Sequence, residues 1–546
     1  MLHLFLSSLF TAILYSLFGY LISNNFRSNT INFSKIVING AILISFISIS
    51  LNFFTALTQE INSILFLIFL VFFFKFNTFN SKKYLIFLFF ISGISYILIF
   101  ASHTYRPDAG LYHLPFINIL NEEKIIFGLA NLHFRFGHTS IIQYLSAINY
   151  NFITGVNGIT IPSAIIASAV IINFLSKFKS HILKKDYNFH FYYLFGILIY
   201  IFFKMNRYAE FGNDAPTHFL TFYFFSEFLK LEKKNLKSDE LLNIALVGLF
   251  IVLNKITLIL ILIIPLILII KNKFFTIYRK FNFYLIVFLG ILWIFKNVII
   301  SGCLIYPIKI TCNTNLAWTD INSVEKISLE NEAFSKNWPN YEKRNEVTQA
   351  KYIKNFNWLR NWSYKLFDEQ KEKSFAYSLI LVLICIFLFY KSNKNNKKLE
   401  KELLFLFTIF ISTIFWLIKI PDYRYAYSII ISLITYPFAL LLSGRDFIKN
   451  PQRIFFSFIV LFFSIFILKN FIRIYNTNIY YDYPNPRIYS HNEDNKKLIY
   501  NSKKINNIKV YNQKNGYCMY GKNLCSPYEA NISIKTNNGY LFFFKK

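Results

Sequence analysis

The sequence predicts an all-α polytopic membrane protein with about 14 transmembrane helices, outer-face loops and a small extracytoplasmic C-terminal tail. Three observations carry that expectation. Hydrophobic residues fill 55% of the 546 positions. They recur in runs near the roughly 17–25 residues that a bilayer core of about 30 Å demands. The runs lack the apolar–polar alternation of an outer-membrane strand, so backbone N–H and C=O groups in the hydrocarbon must pair within each segment, as in a helix. Lysine and arginine crowd into every second connection between the runs.

In chain order, runs near 2–23, 36–57, 61–77 and 84–102 form an N-terminal membrane unit, 1–102. An outer-face insertion with interfacial helices follows at 103–159. Runs near 160–177, 188–204, 215–230, 240–254, 256–270 and 283–301 make up 160–301, and an outer-face loop rich in charge and Trp spans 302–374. Runs near 375–390, 403–419, 427–443 and 454–469 make up 375–469. The extracytoplasmic tail, 470–546, carries strand-like patches at 508–511 and 539–544. Residues 240–270 read either as one long helix interrupted at Asn254-Lys255 or as two short spans; two spans keep the basic connections on one side.

Those connections hold, among others, Arg27 and Lys35, Lys82 and Lys83, Lys184 and Lys185, Lys233 and Lys234, Lys271 and Arg279, Lys397 and Lys398, and Arg445 and Arg453. The positive-inside rule makes them cytoplasmic and puts both termini outside an inner (plasma) membrane. Topology thus accounts for much of the +30 formal charge, and nucleic acid is not expected as a partner. Cys303, Cys312, Cys518 and Cys525 all fall in outer segments. They form either two short-range disulfides, Cys303–Cys312 and Cys518–Cys525, as an oxidising compartment allows, or four free thiols. Their spacing is too wide for a zinc knuckle.

Polar groups collect on the outer side. Asp108, after Tyr105-Arg106-Pro107 and before Tyr112-His113, is either a carboxylate stabilising a helix start or a general base at the membrane boundary. Farther along the insertion stand Asn131, His133, Arg135 and His138, suited to a polar, anionic ligand or to interfacial anchoring. Asp214 is four residues before His218, so the two share a helix face; Asn213 or Asp214 alternatively caps that helix. Asp108 and Asp214 could converge on one acceptor or one divalent metal ion. Lys255 interrupts two hydrophobic runs, where a charge costs about 2.5–3.5 kcal/mol on insertion scales, unless it snorkels to the interface. Arg424, in Pro421-Asp422-Tyr423-Arg424-Tyr425, suits a phosphate through bidentate hydrogen bonds, or else pairs with Asp422. Lys296-Asn297 and Gly302…Tyr306-Pro307 close the set. There is no phosphate-cradling glycine loop and no HExxH motif.

Taken together, Asp108, Asp214, Asn254-Lys255, Lys296-Asn297…Gly302…Tyr306-Pro307 and Pro421…Arg424-Tyr425 resemble, in order, the motifs of the GT-C superfamily, in particular its protein-mannosyltransferase-like branch. The stretch from Asp108 to Arg135 looks like a bacterial branch of it. The resemblance covers roughly residues 80–445. It implies a GT-C-like fold and an inverting glycosyltransferase using a polyprenyl-phosphate sugar. The acceptor hydroxyl would belong to a glycan, lipid or protein of the cell envelope. It assigns Asp108 and Asp214 to catalysis, and His113, Arg135, His138, His218, Lys255, Asn297, Tyr306 and Arg424 to substrate binding. This sequence departs from the pattern in placing its first acid after the fourth run and in carrying only a short tail. The rivals are an O-antigen polymerase or ligase, resting on Arg135, His138 and Arg424, and a lipid-linked-glycan transporter or flippase.

Overall fold

The computed structural model describes residues 2–22, 32–73, 81–100, 108–205, 212–231, 236–364, 377–378, 381, 400–443, 451–476, 499–513 and 517–546. They are mostly helical. Four helices open the chain: α1 (Leu2–Ile22), α2 (Phe33–Asn52), α3 (Gln59–Phe73) and α4 (Lys82–Phe100). The insertion holds the short helices α5 (Leu114–Glu122) and α6 (Ile141–Ile148). The central block is α7 (Ile161–Lys184), α8 (Phe189–Lys204), α9 (Asp214–Lys230), α10 (Ser238–Asn254), α11 (Ile263–Lys271) and α12 (Phe281–Ser301). Helices α13 (Ile321–Ser335) and α14 (Gln349–Ile353) lie in the second loop, ahead of α15 (Glu400–Lys419), α16 (Tyr427–Leu442) and α17 (Pro451–Asn476).

This is a membrane protein, but the count differs from the expectation. Among the described residues seven helices are long and apolar enough to cross a bilayer, not about 14. The remaining apolar runs fold into shorter pieces. Helix α8 has 16 residues, so at 1.5 Å per residue it extends about 24 Å, short of a full hydrocarbon core. Helices α9 and α10 have 17 residues each, and the 256–270 run is a 3-10 segment, Ile256–Leu262, followed by nine residues of α11. The chain breaks at Lys255, in extended conformation, and the 3-10 segment folds back against α10. The 375–390 run lies almost wholly outside the described residues, as do Tyr105 to Pro107 and Cys385.

Packing between α1 and α2 rests on a glycine pair. A Cβ on Gly19 would stand 1.8 Å from the Ile36 carbonyl oxygen, and one on Gly40 1.7 Å from that of Tyr15. The small-residue crossing lets two backbones approach where lipid supplies no hydrophobic drive. One large core then runs through α1, α2, α4, α7–α10 and α15–α17.

Basic residues gather at one end of the bundle. Lys271 at the end of α11 pairs with Glu400 at the start of α15, and Lys280 before α12 pairs with Asp239 at the start of α10, 3.2 Å away. Asp214, Lys255 and Arg424 occupy the opposite ends of α9, α10 and the α15–α16 pair.

The tail contains five strands: β1 (Tyr500–Ile505), β2 (Ile508–Gln513), β3 (Cys525–Ser526), β4 (Ile532–Asn537) and β5 (Tyr540–Lys545). Strands β1 and β2 are antiparallel, β3 adds parallel to β2, and β4 and β5 form a separate hairpin. The tail shares a hydrophobic core with the insertion, where Ile126, Leu129 and Phe136 pack with Met519, Ile534 and Phe543. The Phe127 and Phe543 amides complete a parallel bridge between the two segments, at 2.9 and 2.8 Å. Disulfides join Cys303 to Cys312 and Cys518 to Cys525.

Candidate functional site

Asp108 leads into a π-helical turn, Ala109–His113, which runs directly into α5. Such turns are rare and recur at functional sites. The carboxylate makes no capping bond to its own helix. It accepts instead from Arg424 Nη1 at 3.2 Å. From the tail, the Met519 amide donates to the Gly110 carbonyl at 2.9 Å, so the turn is braced from outside.

Arg424 sits on a 3-10 turn, Tyr423–Tyr425, capped by Asp422, whose Oδ1 accepts the Arg424 amide at 3.1 Å. Two indoles hold that turn: Trp416 Nε1 donates to the Asp422 carbonyl at 2.8 Å, and Trp362 Nε1 to that of Pro421. The guanidinium also donates to the Tyr425 hydroxyl at 2.9 Å and approaches Asp422 Oδ2 to 3.7 Å. Pairing with Asp108 and Asp422 therefore occurs together.

Lys255 does not snorkel. It is buried, bonded to Asp214, and its ammonium lies 4.0 Å from the centre of the Tyr425 ring. Nor does Asn213 cap α9; its amide donates to the Asn254 carbonyl at 2.8 Å and ties the start of α9 to the break after α10. His218, one turn after Asp214, is buried and fully engaged. Its Nε2 donates to the Arg424 carbonyl at 2.8 Å, while Nδ1 accepts the Ser428 amide at 3.3 Å. It supports the arginine's backbone.

The result is one continuous cluster, Asp108–Arg424–Tyr425–Lys255–Asp214, drawn from four segments of the sequence. His113 closes one side: a Cβ on Gly212, two residues before Asp214, would lie 3.5 Å from its Nε2. Gln143 donates to His113 Nδ1 at 3.1 Å, which leaves the ring's proton on Nε2. Burial pulls His113 down to about 4, against the opposing pull of the Asp108 and Asp214 charges, so the ring is neutral at pH 7.

Arg135, His138, Asn297 and Tyr306 lie beside this cluster rather than in it. The Arg135 guanidinium stands 5.3 Å from the centre of the Tyr112 ring. His138 packs on Tyr306, ring centres 5.0 Å apart, and accepts from Asn331 at 3.1 Å. That contact needs Gly137, since a Cβ there would fall 2.6 Å from the Tyr306 ring. Asn297 donates to the Leu304 carbonyl at 2.9 Å and braces the loop that carries Tyr306. Lys296, fully buried, donates to Thr139 at 2.7 Å and lies 3.6 Å from the Trp293 ring centre.

The residues fit a divalent ion poorly. Among the described residues no three His, Cys, Asp or Glu side chains gather as metal ligands, and Asp108 and Asp214 each face a cation. Two members were not singled out from sequence. Tyr425 stood in the motif around Arg424, but nothing marked it as the ring between two cations. Gln143 carried no local signal at all.

Comparison with curated proteins and with solved structures finds no match. The model of one family, a domain of unknown function named DUF8201, matches residues 1–431. That range holds every residue of the cluster and stops before the tail, and the chain belongs to this family.

Proposed function

We propose that the protein is an inverting membrane glycosyltransferase, acting on the outer face of the inner membrane with a polyprenyl-phosphate sugar as donor. The observation that carries the reading is the contact between Asp108 and Arg424, 316 positions apart, with Lys255 and Asp214 joined to them through Tyr425. A carboxylate and two fixed cations in one cluster, at one end of a helix bundle, match what such a transfer requires.

In the reaction, Asp108 takes the proton of the acceptor hydroxyl. The acceptor oxygen forms its bond to the anomeric carbon as the bond from that carbon to the phosphate oxygen breaks. The electron pair leaves with the lipid phosphate, whose charge Arg424 and Lys255 offset. Cations held in advance where the charge develops need no reorganisation at the moment of reaction. A positioned base is worth roughly 10²–10⁴ in rate. Asp214 holds Lys255 in place, and neutral His113 stands near both carboxylates.

Membranes containing the protein, supplied with radiolabelled polyprenyl-phosphate sugars, are expected to yield a labelled glycan, lipid or protein. Label that stays on the lipid for every donor tried would contradict this reading, and label that crosses the bilayer unchanged would favour a transporter.

A further inference from the structure

A cleft of about 260 Å³ lies between the loop 130–134, helix α13 and the tail at 526–530. Its size is just below that of most ligand pockets, roughly 300–1,000 Å³, and suits a single ring. Three elements far apart in sequence build it. Asn131 donates to the carbonyls of Trp318 and Phe543, both at 2.9 Å, and Ser526 donates to that of Leu132 at 3.2 Å.

The lining has a definite chemistry. Tyr306 forms a buried wall, while Tyr528 stands at the rim with 68% of its surface exposed, its ring 6.1 Å from that of His133. An exposed aromatic at the mouth of a cleft offers an apolar face and a polar edge to one ligand. Glu330 and Glu529 add hydrogen-bond acceptors; each has one exposed lysine partner, Lys326 at 3.9 Å and Lys503 at 3.1 Å. Asp320 also lines the cleft, and its three carboxylates are balanced by the lining lysines Lys326 and Lys545 and by Lys503 on Glu529. No net positive charge draws an anion there, and the acceptors suit a neutral ligand rich in hydroxyl donors.

We infer that this cleft binds a sugar unit of a saccharide, its ring against Tyr528 and its hydroxyls on Glu330 and Glu529. Its role as the acceptor's holding point rests on the glycosyltransferase reading; the binding itself does not. The loop that walls the cleft also carries Arg135 to Tyr112, beside the cluster, so a bound chain is held near the base.

The test is saturation-transfer NMR on the full-length protein in detergent, with N-acetylglucosamine trimer and mannotriose as separate probes and pentalysine as the peptide control. At least one saccharide is expected to give transfer signals. Tyr528→Ala should weaken binding about tenfold, and Tyr528→Trp should restore it. Tyr528 is exposed, so these variants keep the core intact. No saccharide signal in the wild type, a signal indifferent to Tyr528, or Tyr528-dependent binding of pentalysine alone would each overturn the inference. Saccharide binding that depends on Tyr528 in a protein that transfers no sugar would uphold the cleft and remove the glycosyltransferase reading.

Discussion

At the scale of single residues, the two ion pairs of the cluster differ in kind. In the Asp108–Arg424 pair the side chains keep 36% and 31% of their exposure. Solvent screens such pairs, and their loss costs about 0–1 kcal/mol. Lys255 is only 6% exposed, and removing the partner of a buried ion costs roughly 3–5 kcal/mol. Asp108→Asn is therefore expected to leave thermal stability within a degree or two of wild type, whereas Asp214→Asn lowers it sharply; a melting series in detergent checks both. Equal losses would mean that Asp108 has a structural role. Arg424→Lys keeps the charge but cannot reach Asp108 and Tyr425 at once, so transfer should fall at least about tenfold with the fold retained, read as initial rates. Asp108, Asp214, Lys255 and Arg424 were legible in the sequence because charges beside apolar runs are costly and need a reason. Gln143 and the cation-stacking role of Tyr425 were not legible, because both depend on which segments meet in space.

At the scale of elements, the glycine crossing of α1 and α2 and the histidines of the insertion each set an expectation. Gly19→Ala pushes a methyl group into the backbone of α2, a region that cannot yield as a side chain would. Overpacking of this kind costs about 1–3 kcal/mol or more, seen as a lower melting midpoint. Gly93 has open space around its Cβ position and serves as the neutral control. In the insertion, burial holds His113 at about 4 and both His133 and His138 at about 3. The unfolded chain takes up these protons near pH 6.5, and the folded one does not until pH 4 or below. Between those values the unfolded state binds more protons, so stability falls as pH falls, by up to about 1.4 kcal/mol per pH unit for each histidine. Melting midpoints at pH 7 and pH 5 test this; a flat profile would contradict the burial of all three rings. Most helix starts among the described residues were readable from the apolar runs to within a few residues, while α7 and α17 extend well past the expected ends at 177 and 469. Whether each run spans the bilayer was not readable, because run length says nothing of a break such as that at Lys255 or of a short helix enclosed by others.

At the scale of the whole molecule, lysine-rich connections and the acid–arginine cluster lie at opposite ends of the same helices. With the lysines cytoplasmic, a cysteine at position 108 in an otherwise cysteine-free chain is expected to react with a membrane-impermeant maleimide added outside intact cells. Labelling only after permeabilisation would reverse the orientation. The tail appeared from sequence as an appendage with a few strand-like patches. Its role as a brace, through Met519 on Gly110 and Phe543 on Phe127, arises from backbone contacts that no side-chain pattern announces.

The most direct test of the central claim is single-turnover transfer from a labelled polyprenyl-phosphate sugar by purified wild-type protein and Asp108→Asn, reconstituted side by side. The wild type is expected to form product, and the variant, equally stable, to lose about 10²-fold or more in rate while still binding the donor. Product formed at comparable rates by both would contradict the assignment of Asp108 as the base.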